Sequence, residues 1–326
     1  MYVLDAGQTR AVLPMSALIP AMKSAFAILH KGQVQVPMRT RLEIFPHKAA
    51  LLNMPAYVAV KEHESLAVKI VTLYPQNPGH GMPFVQAVVL AFDPDNGRPI
   101  AVLNGTVLTA RRTGAASGAA TDLLARPDSH VAAIIGAGIQ ARTQLEAVCT
   151  VRPIQQAYVY APTRAHAEQF ADEMQASLGI PVLVAESAAQ AVAQADVICA
   201  ATTASTPVFD EADVRPGTHI NGVGSYMLQM RELPPKLLGR ALLFVDSLTS
   251  SLAEAGEVVY AIQHGWLQQQ NIAEFGALVN GEVPGRTNRE QITIFKSSGI
   301  AVQDALAVRV ALNLLQNGET LHRPPA

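Results

Sequence analysis

The segment "VAAIIGAGIQART", residues 131–143, carries the most specific indication of the fold. Its apolar start has the composition of a buried strand, and the GAGIQA turn of residues 136–141 leads from it into a helical pattern. In a G-x-G-x-x-A turn, Gly136 permits the tight bend and Gly138 lets the backbone approach a pyrophosphate at the helix N-terminus. Because the turn lies between a strand and a helix, it predicts a dinucleotide-binding site.

Strand and helix patterns alternate from residue 131 to about residue 250. Ala-, Gln- and Glu-rich segments with helical spacing separate the first four apolar runs. Strands that are buried on both faces and joined by helical crossovers form a parallel sheet with helices on both sides. We therefore expect an α/β fold with a doubly wound, Rossmann-type sheet. The predicted strands are "VAAIIG", "AYVYA", "PVLVAE", "DVICAATT", "THINGVG" and "ALLFVDS".

The chain before this region has a different pattern. A helical segment at 15–32 precedes several apolar strand patterns, and "PDNGRP" at 94–99 is typical of the turn of an antiparallel hairpin. These features predict an α+β domain. A small-residue helix at 109–125 connects the two halves, and 302–318 is one amphipathic helix with Gly318 as its cap.

Composition limits the possible partners and the location of the protein. The 326 residues carry 24 basic and 26 acidic side chains, which argues against a nucleic-acid or membrane surface and favours a small molecule or a second copy as partner. The N-terminus lacks a signal-peptide pattern, and apolar runs are shorter than the about 20 residues that span a bilayer. Cys149 and Cys199 form no CxxC pair. We predict a cytoplasmic protein without a metal site.

The end of the second strand bears on the choice of cofactor. An Asp or Glu at this place would bind the ribose 2′-hydroxyl of NAD, but the sequence has Ala161. Thr163 and Arg164 follow, and they are able to bind a 2′-phosphate, so the sequence favours NADP over NAD. The alternative is that Arg164 is a solvated residue in the first turn of the next helix. Thr202, at the end of "DVICAATT", is expected at the sheet edge where the ribose and nicotinamide bind.

Three cations outside the sheet domain stand in unexpected places. Lys69 lies in the apolar strand pattern "LAVKIVTLYP", Arg41 ends "PMRTR", and Arg112 lies among small residues in "LTARRTGAASGAA". A buried lysine is costly unless it is paired or its pKa falls towards neutrality. Together the three suit an amino or imino acid, with two arginines for its carboxylate and one lysine as proton donor. Taken singly, each could be a surface cation or a structural ion pair, which is our interpretation of Arg39 and Arg111.

Six segments spread along nearly the whole chain resemble the ornithine cyclodeaminase/μ-crystallin family, whose members include ketimine and pyrroline-carboxylate reductases and an archaeal-type alanine dehydrogenase. The resemblance implies an NAD(P)-dependent homodimer. It also implies that residues 1–116 with 300–326 form the substrate-binding and dimerisation domain, and that 117–299 form the Rossmann domain. The segments are "VKIVTLYPQN", "LNGTVLTARRTGAASGAAT", "IIGAGIQARTQLEAV", "NGVGSYMLQMREL", "DSLTSSLAEAGEV" and "IFKSSGIAVQDALA".

The resemblance also implies roles for single residues. Lys69 matches the catalytic lysine of the family, and Arg41 and Arg112 match its carboxylate clamps. The remaining matches are to the cofactor: Ile139 and Gln140 at dinucleotide-binding backbone positions, Thr202 as a contact on the nicotinamide side, and Val223, Gly224, Ser225 and Tyr226 as the segment that covers the nicotinamide end.

Two departures narrow the expected activity. Tyr226 stands where true cyclodeaminases have the Asp that activates the attacking amine and water, and Phe84 stands where they have a threonine. We therefore expect NAD(P)H-dependent reduction of a small imino acid, such as pyrroline-2-carboxylate or piperideine-2-carboxylate, or amino-acid dehydrogenation. The alternatives are an ornithine or lysine cyclodeaminase and a non-catalytic, μ-crystallin-like protein that binds NADPH.

Overall fold

The computed structural model describes residues 1–318, except for the side chain of Pro78. The chain divides into two compact units. The first unit comprises Met1–Arg112 and the segment from Ile300 onward, and the second comprises Thr113–Gly299. The assignment of substrate binding to the first unit and of dinucleotide binding to the second stays a prediction.

The helices and strands are named here in chain order, with short 3-10 turns left out. Those up to the end of the third helix are β1 (Tyr2–Leu4), α1 (Ala6–Ala11), α2 (Met15–His30), β2 (Val34–Gln35), β3 (Thr40–Ile44), β4 (Ala49–Val58), β5 (Ser65–Leu73), β6 (Val85–Phe92), β7 (Pro99–Asn104) and α3 (Gly105–Leu124). Those that follow are β8 (Val131–Ile135), α4 (Ile139–Val151), β9 (Gln156–Tyr160), α5 (Arg164–Leu178), β10 (Val182–Val184), α6 (Ala188–Gln194), β11 (Val197–Ala200), β12 (His219–Gly222), α7 (Pro235–Leu238), β13 (Leu242–Val245), α8 (Leu248–Glu254), α9 (Gly256–Gln263), β14 (Ile272–Glu274), α10 (Phe275–Val279), β15 (Thr293–Lys296) and α11 (Ala301–Gln316).

The first unit is built on a mostly antiparallel sheet with the strand order β1-β7-β6-β5-β4-β2, in which β3 also pairs with β4. Only β1 runs parallel to its neighbour, β7, among the described strands of this sheet. The hairpin predicted at "PDNGRP" is confirmed, because β6 and β7 pair antiparallel on either side of it. The predicted α+β architecture of this half is therefore confirmed.

Strand β5 presents its two faces to different surroundings. Its alternate residues, starting from Ser65, are buried, whereas those between them are only half-buried. The buried face packs on α11, where the Ser65 hydroxyl donates a hydrogen bond of 2.9 Å to the carbonyl oxygen of Ala305. Lys69 belongs to this buried face, so the pleat of the strand directs a charged side chain against the last helix.

The second unit contains an eight-stranded sheet with the order β10-β9-β8-β11-β12-β15-β13-β14. All of its described pairings are parallel. Ala132 and Ile134 of β8 pack with residues of α4 and α5, whereas Ala133 and Ile135 pack on the opposite face with residues of α6, α7 and α9. The predicted doubly wound α/β sheet is therefore confirmed.

The strand order reverses between β8 and β11, and such a reversal opens a crevice for ligands at the carboxyl ends of parallel strands. Sequence patterns predicted the six strands from β8 to β13 but missed β14 and β15. β15 lies inside the sheet, between β12 and β13. None of the helices described in residues 1–318 is long and apolar enough to cross a bilayer.

Candidate functional site

Lys69 is a buried cation in the first unit, with only 2% of its surface exposed. Its Nζ lies 2.7 Å from Oδ2 of Asp304, in the first turn of α11. Burial lowers the pKa of Lys69 to about 8, and the charges of Arg112 and Arg39 act in the same direction, while Asp304 opposes them. This ammonium is therefore able to give up and regain a proton near neutral pH.

Arg112 shares the same carboxylate. Its Nε lies 3.0 Å from Oδ1 of Asp304, and its Nη1 donates a hydrogen bond of 2.7 Å to Oε1 of Gln303. We call Lys69, Arg112, Gln303 and Asp304 the lysine group. It holds two buried cations against one carboxylate, so it carries an excess of positive charge that a ligand carboxylate would balance. Sequence analysis identified the two cations but missed Asp304 and Gln303.

The structure does not add Arg41 to the lysine group. Arg41 lies on the edge strand β3 with 40% of its side chain exposed, and its Nε is 2.5 Å from Oε1 of Glu43. Its charge is therefore already countered by an acid two residues along the strand. Arg111 is buried and donates from Nε to the carbonyl oxygen of Leu13 at 2.9 Å, in keeping with a structural role.

Arg39 is the arginine of this segment that acts on Lys69. Its charge lowers the pKa of the lysine, which places it within electrostatic reach. The strand register gives the reason, since Thr40 pairs with Asn53 and Met54 pairs with Lys69. Continuing this register by one residue places Arg39 next to Met54, and Met54 is the neighbour of Lys69 on β4. The interpretation of Arg39 as a surface cation or a structural ion pair stays a prediction.

The glycine turn of residues 136–141 has the geometry of a dinucleotide cradle. Gly136 has a φ of 105°, and a Cβ atom there would lie 2.7 Å from the carbonyl oxygen of Ala201, so only glycine fits. Gly138 is the N-cap of α4, where no side chain caps the helix and a Cβ would meet open space. The first-turn N–H groups of a helix lack intrahelical acceptors, and Ile139 and Gln140 supply two of them here.

Arg142 stabilises the glycine turn by hydrogen bonds to its backbone, a role that sequence analysis missed. Its Nη1 donates to the carbonyl oxygens of Ala137 and Gly138, at 2.6 and 3.2 Å, and its Nε donates to Oε2 of Glu173 at 2.7 Å. Because these carbonyl oxygens already have a donor, the turn keeps a fixed backbone conformation. The fit of the turn to a pyrophosphate thus depends on glycine geometry and on one buttressing arginine.

The end of β9 matches the sequence prediction at the backbone level. The strand ends at Tyr160, Ala161 follows directly, and Thr163 is the N-cap of the helix that Arg164 begins. The Arg164 side chain has carboxylate partners, however. Its Nε donates to Glu168 at 2.9 Å, and its Nη1 donates to both oxygens of Glu186 at 2.9 and 3.0 Å.

Two loops at the carboxyl edge of the second sheet are tied together by a buried acid. We call Thr202, after β11, and residues 223–226, after β12, the edge loops. Oε2 of Glu232 accepts from the Thr202 N–H at 2.9 Å, and its Oε1 accepts from the Gly224 N–H at 2.5 Å. Ser225 is buried and donates its hydroxyl inward to Glu257, so that hydroxyl is not presented to a ligand. Tyr226 is half-buried.

Among residues 1–318, no three His, Cys, Asp or Glu side chains are grouped closely enough to hold a metal ion. The candidate functional residues of the first unit are the lysine group and Arg39, and those of the second unit are the glycine turn and the edge loops.

Known proteins resemble this chain along almost its full length. The model of the ornithine cyclodeaminase/mu-crystallin family matches residues 2–319. The ketimine reductase mu-crystallin of Mus musculus is 37% identical over 307 residues, which cover 93% of this chain and 94% of the relative. The structure of Thermococcus litoralis Δ1-pyrroline-2-carboxylate reductase in complex with NADH and L-proline has a TM-score of 0.93 at 42% identity, covering 98% of each chain. An archaeal alanine dehydrogenase dimer with bound NAD has a TM-score of 0.88 at 31% identity, covering 98% of this chain and 97% of its own.

The lysine group makes a prediction that is independent of any substrate. The substitution Asp304→Asn keeps the shape of the side chain but removes the charge that raises the pKa of Lys69, so we expect this pKa to fall clearly below 8. The pH dependence of the ¹⁵N shift of Lys69 Nζ measures it. Asp95→Asn, in the exposed turn between β6 and β7, is the control and should leave the pKa unchanged. An unchanged or higher pKa in Asp304→Asn would show that this ion pair is not what sets it.

Proposed function

Because this chain belongs to the ornithine cyclodeaminase/mu-crystallin family, we propose that it is an NAD(P)H-dependent reductase that delivers a hydride to the C=N bond of a small imino acid. The observation that carries the proposal is the lysine group. It combines a proton donor, whose pKa is about 8, with an excess of buried positive charge suited to a carboxylate. An imino acid offers both partners, a basic nitrogen and a carboxylate.

The proposed substrate is a cyclic ketimine such as pyrroline-2-carboxylate or piperideine-2-carboxylate. The similarity to Δ1-pyrroline-2-carboxylate reductase supports this class, since the structure of that enzyme holds L-proline, the reduced form of the ring. The same chemistry run with an acyclic imine gives the second candidate, reductive amination of a 2-oxo acid. The similarity to an alanine dehydrogenase supports this second candidate.

Each residue of the lysine group has a defined task in the proposed reaction. Arg112 binds the substrate carboxylate, and either Arg39 or Arg41 supplies the second cation, with the electrostatic reach of Arg39 to Lys69 in its favour. The Lys69 ammonium donates its proton to the imine nitrogen, which makes the adjacent carbon a better hydride acceptor. Asp304 is a positioning residue that fixes Lys69 and Arg112 at once. In the reverse direction, neutral Lys69 removes the proton from the amine.

The bound dinucleotide supplies the hydride. The glycine turn fits it, because Gly136 has a φ of 105° that favours glycine, and a Cβ on Gly138 would meet open space at the uncapped N-terminus of α4. We propose that the turn binds the pyrophosphate through Gly136, Gly138, Ile139 and Gln140. In the same proposal, Thr202 and residues 223–226 bind the nicotinamide half through their backbone.

We infer a preference for NADP(H) from the end of β9. Ala161 offers no carboxylate to repel a 2′-phosphate, and Thr163 and Arg164 stand next to it. The pairs of Arg164 with Glu168 and Glu186 compete with this role. They are exposed, however, and exposed ion pairs are weak, so a phosphate of nearly two negative charges is able to replace them.

A homodimer is the proposed assembly. The face of the first sheet opposite α11 carries apolar side chains that are only half-buried in the single chain, among them Leu66, Val68 and Ile70. Leu42 and Phe45 add exposed apolar surface to the same unit. Apolar patches of this kind mark interfaces, and the alanine dehydrogenase relative is a dimer. A cytoplasmic location, which suits the free Cys149 and Cys199, stays a prediction.

A substrate panel with a matched variant tests the function. Purified protein should oxidise NADPH or NADH with a cyclic ketimine, and Lys69→Ala should lower kcat by a factor of roughly 10²–10⁴, the range for a lost general acid. The Kd of the dinucleotide should stay unchanged in this variant, and the control Lys61→Ala should keep full activity.

Other outcomes of the panel identify the alternatives. Release of ammonia from ornithine without net change of the dinucleotide would replace the proposal with a cyclodeaminase, despite Tyr226. Tight NADPH binding without turnover of any imine or 2-oxo acid would replace it with a non-catalytic binding protein. Full activity of Lys69→Ala would remove the lysine from the mechanism.

Cofactor choice is tested at Arg164. If its guanidinium binds the 2′-phosphate, Arg164→Ala should weaken NADPH binding roughly tenfold and leave NADH binding unchanged, because NADH lacks that phosphate. Arg240→Ala removes a similarly exposed arginine of the same unit and should affect neither cofactor. Tighter binding of NADH than of NADPH by the unmodified protein would contradict the inferred preference.

A further inference from the structure

Glu232 is a fully buried acid between β12 and α7, and it has no task in the reaction proposed above. One of its oxygens accepts from both the N–H and the hydroxyl of Thr202, at 2.9 and 3.2 Å, and the other accepts from the N–H of Gly224 at 2.5 Å. Thr202 and Gly224 lie just beyond the ends of the neighbouring strands β11 and β12. A single carboxylate therefore joins the two edge loops.

Thr202, Gly224 and Glu232 are tightly packed against one another. A Cβ atom on Gly224 would overlap the carbonyl oxygen of Thr202 and lie 2.5 Å from Oε2 of Glu232. The main chain of Glu232 is held as well, since its carbonyl oxygen accepts from the Val208 N–H at 3.0 Å and the preceding N–H donates to Ala204 at 3.1 Å. These bonds fix the backbone around Glu232 to the segment that follows β11. The bond from Gly224 to its carboxylate therefore determines where the loop after β12 lies.

The charges near Glu232 are poorly balanced. Lys296 of β15 is the nearby cation, but its Nζ donates to carbonyl oxygens, that of Ser225 at 2.7 Å among them, and lies 3.9 Å from Glu257. Glu257 of α9 and Asp246, just after β13, are further buried acids, and Asp246 accepts from the N–H groups of residues 298 and 299.

These surroundings explain the titration of Glu232. Burial raises the pKa of Glu232 to about 7, and the charge of Glu257 raises it too, whereas Lys296 and the two backbone N–H donors lower it. The nearby thiol of Cys199 stays neutral, because burial raises its pKa to about 12. Glu232 therefore changes charge near pH 7.

We propose that Glu232 is a positioning residue whose ionised carboxylate holds the two edge loops in the conformation that binds the nicotinamide half of the cofactor, so that binding the cofactor expels a proton from Glu232. This inference rests on the proposed dinucleotide function. The proposed role is indirect, because the Glu232 carboxylate binds Thr202 and Gly224 of the edge loops and is not proposed to contact the cofactor.

The chemical reason lies in the number of acceptors. An ionised carboxylate accepts from N–H groups at both oxygens, so it holds both loops. A protonated acid carries an O–H on one oxygen, and that oxygen is a much weaker acceptor than a carboxylate oxygen, so the hold on one of the two loops is weakened. Glutamine has the same shape and the same defect at every pH, because one oxygen is replaced by an NH₂ donor.

The sign of the pH effect follows directly. Protons and cofactor compete, so the affinity is full above the pKa of Glu232 and declines as the pH falls through about 7. If only the ionised form binds, its fraction falls about elevenfold between high pH and pH 6, and the apparent Kd rises by the same factor.

Calorimetric titration of the whole protein with NADH at pH 6, 7 and 8 tests the inference. NADH is the probe because the 2′-phosphate of NADPH itself titrates near pH 6. Titrations in two buffers of different ionisation enthalpy count the protons released. We expect the Kd to rise roughly tenfold from pH 8 to pH 6, with nearly one proton released at pH 6.

Three variants separate positioning from general stability. Glu232→Gln should bind NADH weakly at every pH and release no proton, and the exposed control Glu290→Gln should behave as the unmodified protein does. Glu257→Gln removes a charge that raises the pKa of Glu232, so it should shift the fall in affinity to lower pH.

Two results would overturn the inference while leaving the proposed function intact: pH-independent NADH binding without proton release, or an unaltered pH dependence in Glu232→Gln. Failure of both NADH and NADPH to bind at any pH would overturn the proposed function and the inference together. If Glu232→Gln does not fold, proton release by the unmodified protein and the shift in Glu257→Gln decide the matter.

Discussion

A buried ammonium on strand β5 is tolerated in this fold because a carboxylate from the last helix meets it at 2.7 Å. The same carboxylate binds Arg112, 192 residues earlier in the chain, so the strand, the helix by which the chain leaves the first unit and the helix by which it returns are tied at one point. The hydrogen bond between Ser65 and Ala305 joins the same strand and helix over 240 residues. Removing one partner of such a pair costs about 3–5 kcal/mol, so Asp304 stabilises the fold in addition to its proposed role in positioning Lys69 and Arg112.

The second unit applies the same physical principle to its backbone. Glu232 binds the N–H groups of two neighbouring loops, and Asp246 binds those at the turn before α11. Fully buried acids are costly, and these are compensated by backbone donors and by Lys296 rather than by solvent. In the first unit a buried acid fixes the cations proposed to bind substrate. In the second, a buried acid fixes the loops proposed to bind the cofactor, and the family relationship links the two tasks to one reaction.

Local sequence patterns were sufficient for the fold class but not for the partners of the site residues. The GAGIQA turn and the alternation around Lys69 each lie within about ten residues, so the sequence predicts them. Asp304 is hidden in the pattern of an ordinary amphipathic helix, and β15 is only four residues long. Arg39 and Arg41 are only two residues apart at the start of β3, so spacing does not separate them; the charge of Arg39 on Lys69 and the pair of Arg41 with Glu43 do. Likewise, Glu186 was not predicted as a partner of Arg164, because that contact crosses from one βα unit to the next.

If Lys69 is the proton donor in imine reduction, as we propose, kcat/KM for reduction and for oxidation should depend on pH in opposite ways. The measurement compares reduction of pyrroline-2-carboxylate with oxidation of L-proline from pH 6 to pH 10, at saturating dinucleotide so that cofactor binding does not contribute. Reduction requires the ammonium, so its kcat/KM should fall about tenfold per pH unit above the lysine pKa of about 8. Oxidation requires the neutral form of Lys69, so its kcat/KM should rise with pH up to about pH 8 and then level off. Profiles without a break near pH 8, or profiles that change in the same direction, would show that Lys69 is not the proton donor.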